Sequence, residues 1–392
     1  MVLDGLRGRR ATPVLERSPR SDTDECREAA PLREAGLGGR EVVVAERIQE
    51  TADAVTLILE DPKQAPFDFE AGAFFTVVLN LGDGDGGVEE VRRAYSASSS
   101  ALEPGRLALT CKRVEGGRAS TYLNQRTKAG DLLRILGPAG AFTLRPAPAA
   151  TRRLVLVGGG SGITPLMSMI RTLLVAEPGA ELALIYGNRS PEAIIFRDAL
   201  AELAEAHPGR LHLRHVIERP AAGWEGGVGR LDREGLAPEL AALPWPHDAV
   251  DGWYVCGPEP MLIAARELLV ELGVAPSRLH EERFSAPQRR ACEPTRGDVA
   301  ATVTICRKGR PSAESAVVIV PAGATLLEAA IAAGQELPFS CAVGGCGACR
   351  VRVREGEVVM DEPNCLTAEE RGAGYALTCC GAPIGPCSIE VG

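Results

Sequence analysis

The sequence predicts a multidomain protein: an antiparallel β-barrel, then an α/β doubly wound parallel sheet, then a small α+β domain. Three observations carry that reading. Short β-rich runs separated by turn residues fill the stretch from Glu41 onward. After Arg153, continuous apolar runs alternate with helical stretches. Four cysteines in a distinctive spacing lie near the C-terminus.

At 392 residues the chain can build two or three separate cores. It is 45% hydrophobic and 24% charged, the balance of an ordinary soluble protein. No apolar run is long enough for a transmembrane helix, and the N-terminus lacks the apolar core of a secretory signal. The net charge of −9 argues against nucleic acid as the main partner. Twelve cysteines in a chain of this length read as reduced thiols plus a metal site. A cytoplasmic monomer is therefore expected.

Residues 1–40 are rich in Arg, Glu and Gly and have little hydrophobic periodicity, as in a flexible extension. An Arg-rich targeting peptide is the alternative, although Asp4, Glu16, Asp22 and Glu25 make it unusually acidic. Within 41–150 the runs Val42–Val44, Val55–Leu59, Phe74–Leu79 and Leu107–Cys111 predict barrel strands. Within 151–284 the order is the strand Leu154–Val157, a Gly-rich turn and a helix over Pro165–Ala176. A strand over Leu182–Tyr186, a helix over Pro191–Ala206, and strands at Leu211–Ile217 and Trp253–Cys256 follow. That alternation predicts a parallel sheet. Residues 285–298 read as a linker and 299–392 as the cysteine-bearing domain. No internal repeat is present.

Cys341, Cys346 and Cys349 stand in C-x4-C-x2-C spacing, and Cys379 follows. Two irons bridged by two sulfides require four terminal thiolates, and this is the plant-type [2Fe–2S] arrangement. Gly344, Gly345 and Gly347 suit a loop that brings backbone N–H groups to the sulfurs and adopts positive φ. Buried free cysteines or a zinc site are the alternatives, but zinc sites usually pair two C-x2-C motifs.

In the barrel, Arg93-Ala94-Tyr95-Ser96 is an extended segment. A flavin needs a cation for its pyrophosphate, an aromatic face for its ring and a small hydroxyl near N5, and Arg93, Tyr95 and Ser96 suit these needs. On their own, an Arg and a Tyr on a strand edge are equally ordinary surface residues. Lys112-Arg113-Val114-Glu115-Gly116-Gly117 then runs through a turn to a helix start, where Ser120 is expected to cap and free N–H groups favour a phosphate. A capped helix after a turn is the plain alternative.

Gly158-Gly159-Gly160-Ser161-Gly162-Ile163-Thr164-Pro165 joins a buried strand to a helix. Gly158, Gly160 and Gly162 permit close backbone approach, and the helix start favours a pyrophosphate. The G-x-G-x-x-G register and a Gly-Lys-Ser/Thr ending are both missing, which excludes a Rossmann dehydrogenase label and a Walker A site. Arg189 and Ser190 close the second strand, with Arg197 beyond. They suit the 2′-phosphate of NADPH, although a solvated Arg explains them equally well, so NADH stays open. Cys256-Gly257-Pro258 ends a later strand, where Cys256 suits a place beside the nicotinamide or serves as a small buried hydrophobe.

In this order the motifs resemble the ferredoxin–NADP reductase superfamily fused to a C-terminal plant-type ferredoxin, over residues 41–392. They are similar, more narrowly, to the reductase components of multicomponent oxygenases such as the phenylacetyl-CoA and ketosteroid 9α-hydroxylase systems. Arg93–Ser96 matches R-x-Y-S, Gly158–Pro165 the G-x-G-S/T-G-I-T-P turn, and Cys256–Pro258 the C-G-P motif. The resemblance implies a β-grasp-like ferredoxin domain. It implies that Arg93, Tyr95 and Ser96 bind FAD, that Thr164, Cys256 and Gly257 face the nicotinamide, and that Glu282 or Phe284 lies near the flavin. Ser96 and Cys256 would be the catalytic residues.

The implied activity passes electrons from NAD(P)H through FAD, the cofactor that joins two-electron and one-electron chemistry, and [2Fe–2S] to a protein acceptor. An oxygenase component is the expected acceptor. A hybrid-cluster, cytochrome or desaturase acceptor, or a non-catalytic redox sensor, are the alternatives. Cys380 departs from the family, where many members carry Gln, and Cys365 and Cys387 read as non-ligands. Asp361-Glu362 and Glu369-Glu370 suit a basic partner, or equally an ordinary solvated surface.

Overall fold

The computed structural model describes residues 39–82, 87–140, 142–283, 299–307, 315–335, 337–339, 344, 349–361, 364, 366 and 368–391. Most of the N-terminal extension, the 285–298 linker, Phe284, Cys341, Cys346 and Cys365 lie outside the described residues.

Six antiparallel strands form the first sheet: β1 (Arg40–Thr51), β2 (Ala54–Glu60), β3 (Phe74–Gly82), β4 (Val88–Ser96), β5 (Leu107–Lys112) and β6 (Leu132–Ala139). Their order is β4-β3-β6-β1-β2-β5, and a bridge from Ala97 to Leu109 joins the two outer strands. The sheet thereby closes on itself. Alternating apolar residues, among them Val42, Val44, Leu57, Leu59, Phe75, Val77 and Ile135, fill the interior. The helix α1 (Arg118–Gln125) packs over β5. The sequence runs missed β4 and β6. Arg93–Ser96 is the end of β4 itself, paired with β3 from Phe74 to Val77.

The second sheet is wholly parallel in its pairing. Its strands are β7 (Arg153–Gly159), β8 (Glu181–Asn188), β9 (Leu211–Ile217), β10 (Gly227–Val228), β11 (Gly252–Gly257) and β12 (Leu279–Arg283), in the order β10-β9-β8-β7-β11-β12. Helices α2 (Ile163–Ala176), α3 (Arg197–Ala206), α4 (Arg233–Ala241) and α5 (Glu259–Glu271) complete the crossovers. Fully buried strands read as continuous apolar runs, which is why Leu154–Val157 was legible. The helix expected over Pro191–Ala206 is shorter. Pro191–Ala193 forms one 3-10 turn, Ile194, Ile195 and Phe196 drop into the core, and Phe196 takes a left-handed φ of 61° before α3 begins at Arg197. Three successive apolar side chains cannot all face one core along a helix, so the chain breaks there.

The C-terminal domain has a five-stranded sheet of order β14-β13-β19-β15-β17, with a separate β16–β18 pair. The elements are β13 (Ala301–Arg307), β14 (Ala316–Val320), α6 (Leu326–Ala332), β15 (Arg350–Glu355), β16 (Val358–Met360), α7 (Ala368–Gly372), β17 (Tyr375–Leu377), β18 (Gly381–Pro383) and β19 (Cys387–Val391). β13 and β19 run parallel and the other described pairs in this sheet antiparallel. A capping box between Thr325 and Glu328 starts α6, which buries Leu326, Leu327, Ala329 and Ala330 against the sheet. β14 is an outer strand of the described sheet, and its Val317 and Ile319 are 65% and 69% exposed.

Candidate functional site

In the parallel sheet, β7 and β11 are neighbours whose helices lie to opposite sides of the strand order, so a crevice opens at their carboxyl ends. The Gly-rich turn falls there. Gly160 sits at φ +54°, and Gly160–Gly162 makes a 3-10 turn leading directly into α2. A Cβ on Gly162 would collide with the carbonyl oxygen of Cys256, so only glycine lets the turn lie against β11. The buried Thr164 hydroxyl donates to the Ser161 carbonyl at 3.0 Å, and the fully buried Tyr186 hydroxyl donates to the Gly160 carbonyl at 2.9 Å. These two bonds pin the turn from both sides.

The barrel meets this crevice through the end of β4. Ser96 is buried, and its Oγ donates to Oε2 of Glu282 on β12 at 3.5 Å. Glu282 is the in-register neighbour of Cys256 across the β11–β12 pair. Three residues far apart in sequence thus converge at one point. Desolvation pushes the Glu282 carboxyl up to about 8, with the Ser96 hydrogen bond opposing the shift. Burial, reinforced by the Glu282 charge, holds the Cys256 thiol well above its ordinary range, so it stays protonated. Tyr95 packs against the barrel core, and burial beside the Cys111 thiol raises its phenol. Arg93 is exposed on the same strand end.

One expectation is corrected. Ser120 does not cap α1: the helix begins at Arg118 with Gly117 as N-cap, which puts Ser120 in the first turn. There its Oγ accepts from the Val114 N–H and donates to the Gly117 carbonyl, both at 3.1 Å, fastening the Val114–Gly117 loop on itself. Gly116 takes φ +69° in that loop, and the Val114 side chain is exposed. Lys112, at the end of β5, reaches toward the junction. Its Nζ stands 3.7 Å from Asp53 Oδ2 and 4.0 Å from where a Cβ on Gly160 would be, at the Gly-rich turn of the other domain. Sequence reasoning missed this reach across the junction, because nothing local signals it.

Arg189 and Arg197 are exposed beyond β8, and Ser190 hydrogen-bonds the Glu192 carboxylate, which holds that carboxyl below its usual range. Glu192 was not singled out in the sequence.

The cysteine pocket is built differently. Cys349 directly precedes β15 and Cys379 follows β17. The Thr378 N–H donates to the Cys349 carbonyl at 3.1 Å, and the two sulfurs come to 3.1 Å from each other. The Gly344 N–H points at Cys379 Sγ, also at 3.1 Å, from a backbone at φ +76°. Two buried sulfurs close enough to share one metal, with a backbone N–H aimed at one of them, fit a thiolate-held iron. None of the seven described cysteines is in a disulfide.

The family models of an oxidoreductase FAD-binding domain, an oxidoreductase NAD-binding domain and a 2Fe-2S iron–sulfur cluster binding domain match residues 41–144, 156–267 and 311–383. One component of the 1,2-phenylacetyl-CoA epoxidase of Escherichia coli K12 is 33% identical over 346 residues, covering 88% of this chain and 94% of that protein. The ferredoxin reductase component of 3-ketosteroid-9-alpha-monooxygenase from Rhodococcus rhodochrous is 30% identical over 359 residues, 88% of this chain and 95% of that one. The chain belongs to the FAD- and [2Fe–2S]-containing reductase family. The reductase is an NAD(P)H-dependent oxidoreductase that uses FAD, a nicotinamide nucleotide and a [2Fe–2S] cluster and transfers electrons to a protein. Its fold is similar to that of phthalate dioxygenase reductase, with a TM-score of 0.58 at 24% identity over 90% of this chain and 98% of that one. An intact type IV self-sufficient cytochrome P450 monooxygenase matches with a TM-score of 0.63 at 25% identity, over 91% of the reductase and 43% of that chain. No helix among the described residues of the reductase is long and apolar enough to cross a membrane.

Proposed function

We propose that this reductase takes a hydride from NADPH in the crevice between barrel and parallel sheet and passes single electrons to the terminal component of a multicomponent oxygenase. The convergence of Ser96, Cys256 and Glu282 carries the proposal, because it joins the end of the flavin-side strand to the nucleotide crevice. The relatives named above, which are oxygenase components, support the acceptor class. Bound FAD would supply the conversion of a two-electron donor into one-electron steps, and a cluster held by the four cysteines would supply one-electron transfer. Domain limits at 41–150, 151–284 and 299–392, joined by 285–298, and a cytoplasmic monomer belong to the same proposal.

The residues divide the work by position. Arg93 is assigned to the flavin pyrophosphate, Tyr95 to the face of its ring and Ser96 to a hydrogen bond at its reacting edge. Val114, Gly116 and Gly117, held by Ser120, bring the backbone N–H groups at the start of α1 to a phosphate. Lys112, beside Gly160, is assigned to the nicotinamide-nucleotide pyrophosphate. Gly158, Gly160 and Gly162 give that pyrophosphate a close backbone, while Thr164, Cys256 and Gly257 line the nicotinamide. The protonated Cys256 excludes water there without competing as a nucleophile. Cys341, Cys346, Cys349 and Cys379 are assigned as the iron ligands.

Arg189, Ser190 and Arg197 favour NADPH, since two guanidiniums flank the end of β8. One observation favours NADH instead: the Glu192 carboxylate bonded to Ser190 suits a ribose hydroxyl better than a phosphate. Anaerobic titration with each nucleotide, followed by absorbance and electron paramagnetic resonance, tests both parts. Flavin bleaching followed by a reduced [2Fe–2S] signal is expected with NADPH at the lower concentration. Bleaching without a cluster signal would remove the electron path, and preference for NADH would move the assignment to Glu192. Replacing Arg189 with Ala is expected to raise KM for NADPH by about tenfold or more and leave KM for NADH unchanged. Fast steady-state turnover with a protein acceptor would exclude the sensor reading.

A further inference from the structure

Next to the fourth proposed iron ligand stands a thiol that the four-ligand assignment does not use. Cys380 follows Cys379 directly, is only 6% exposed and makes no side-chain hydrogen bond among the described residues. Its sulfur faces the same loop residue as that of Cys379. The Gly344 N–H donates to Cys379 Sγ at 3.1 Å, and a Cβ on Gly344 would stand 3.1 Å from Cys380 Sγ. Cys379 Sγ in turn lies 3.1 Å from Cys349 Sγ. Three sulfurs are thereby gathered about one glycine and one turn, with Asn364 also packed against Gly344.

The turn itself explains how two successive side chains reach one place. Residues 378–380 form a tight turn between β17 and β18. It is held on one side by the Thr378 N–H on the Cys349 carbonyl and on the other by the Asp361 N–H on the Cys380 carbonyl. In a strand, consecutive side chains point to opposite faces. In this turn both are buried toward the Gly344 loop. Gly344 is fitted to the arrangement twice over, by its positive φ and because a side chain there would press on Cys380.

We propose that Cys380 is a reserve ligand of the cluster, able to take the place of Cys379 on the iron that Cys349 shares. The inference rests on the [2Fe–2S] reading of this pocket. In the exchange the iron–sulfur bond to Cys379 breaks and one to Cys380 forms. The Cys380 thiol proton leaves to solvent, the released Cys379 takes one up, and no electron is transferred. The chain would thereby survive loss or oxidation of one ligand without losing its metal.

The test uses the full-length holoprotein and the variants Cys379→Ala, Cys380→Ala and the double Cys379→Ala/Cys380→Ala. Iron and acid-labile sulfide per chain are measured, together with the electron paramagnetic resonance of the dithionite-reduced protein. Flavin content reports that the rest of the chain has folded. Cys380→Ala is expected to keep wild-type iron and signal. Cys379→Ala is expected to keep most of its iron with shifted g values, and the double variant to fall about tenfold or more below it. Loss of iron from Cys379→Ala to the level of the double, with flavin retained, would overturn the proposal. So would loss of iron from Cys380→Ala alone, which would make Cys380 an ordinary ligand. Absence of iron and sulfide from the wild-type protein would instead remove the cluster reading itself. Should Cys379→Ala lose its flavin too, the wild type and Cys380→Ala are compared during exposure to an iron chelator. Faster iron loss from Cys380→Ala supports the reserve role, and equal rates overturn it.

Discussion

The barrel–nucleotide junction and the cysteine pocket solve two different positioning problems. At the junction, groups reach across from both sides: Arg171 Nη1 donates to the Ser98 carbonyl at 2.7 Å, the Ala101 N–H to Thr172 Oγ1 at 2.9 Å, and the Phe196 N–H to Glu50 Oε2 at 3.3 Å. In the pocket, one domain supplies every described contact, and backbone N–H groups donate to two carbonyls and a sulfur. Hydride transfer demands that donor and acceptor atoms approach within about 3–3.5 Å in a fixed orientation. Two sheets must therefore be locked together. A thiolate pocket needs only internal consistency, which a loop and a turn of one small domain can provide.

The comparison breaks most completely at Cys349. Cys349→Ser is expected to reduce electron delivery to a protein acceptor to assay background while NADPH:ferricyanide activity stays near wild type. Parallel assays of the two acceptors check it. Survival of both activities would take the pocket off the electron path and leave the junction as the whole machine.

The next largest effect concerns the lock itself. Glu177 is fully buried at the end of α2. It accepts from the Ala147 N–H at 2.6 Å and pairs with Arg152, on the segment joining barrel to sheet. Removing one partner strands the other's charge, so Glu177→Ala is expected to lower stability by about 3–5 kcal/mol in chemical denaturation. Iron content per folded chain should be unchanged.

Glu282 sharpens the comparison through pH. Its carboxyl rises from the ordinary 4.5 to about 8, so the folded chain keeps a proton that the unfolded chain has released. The associated stability is complete below the lower value and is lost as pH rises through the upper one. Between those limits the wild type should lose up to about 1.4 kcal/mol per pH unit relative to Glu282→Gln, which has no such proton to lose. Urea midpoints of the flavin-free protein between about pH 6 and about pH 8 measure the difference. Parallel curves for the two proteins would mean that Glu282 is hydrated at the junction.

The smallest expected effect is at Gly344, where Ala would carry a side chain at positive φ and crowd Cys380. A local cost of about 1–2 kcal/mol is expected, seen as faster iron release with unchanged flavin content.

Much of the fold was legible because burial is written in the sequence. The apolar run Leu154–Val157, the turn Gly158–Pro165 and the strand ending at Cys256 are local signals, and the sheet sets them side by side. Cys349 and Cys379, both singled out in the sequence, bring their sulfurs to 3.1 Å from each other. What was not legible depends on docking. The Ser96–Glu282 bond joins residues 186 apart, and Lys112 finds the Gly160 turn only once the barrel is seated. The reading of Ser120 as a cap failed by a shift of the helix start, and the Pro191 helix failed because Ile194–Phe196 turn inward. Neither is a matter of propensity.

The closure of the barrel between Ala97 and Leu109 also has a consequence for the protein in concentrated solution. A sheet joined edge to edge offers no row of unpaired N–H and C=O groups to recruit a neighbour. β14, at the end of the described five-stranded sheet with Val317 and Ile319 turned outward, offers such a row beside apolar side chains. Replacing Val317 or Ile319 with Lys is therefore expected to lower light scattering of concentrated protein, and unchanged scattering would clear this edge.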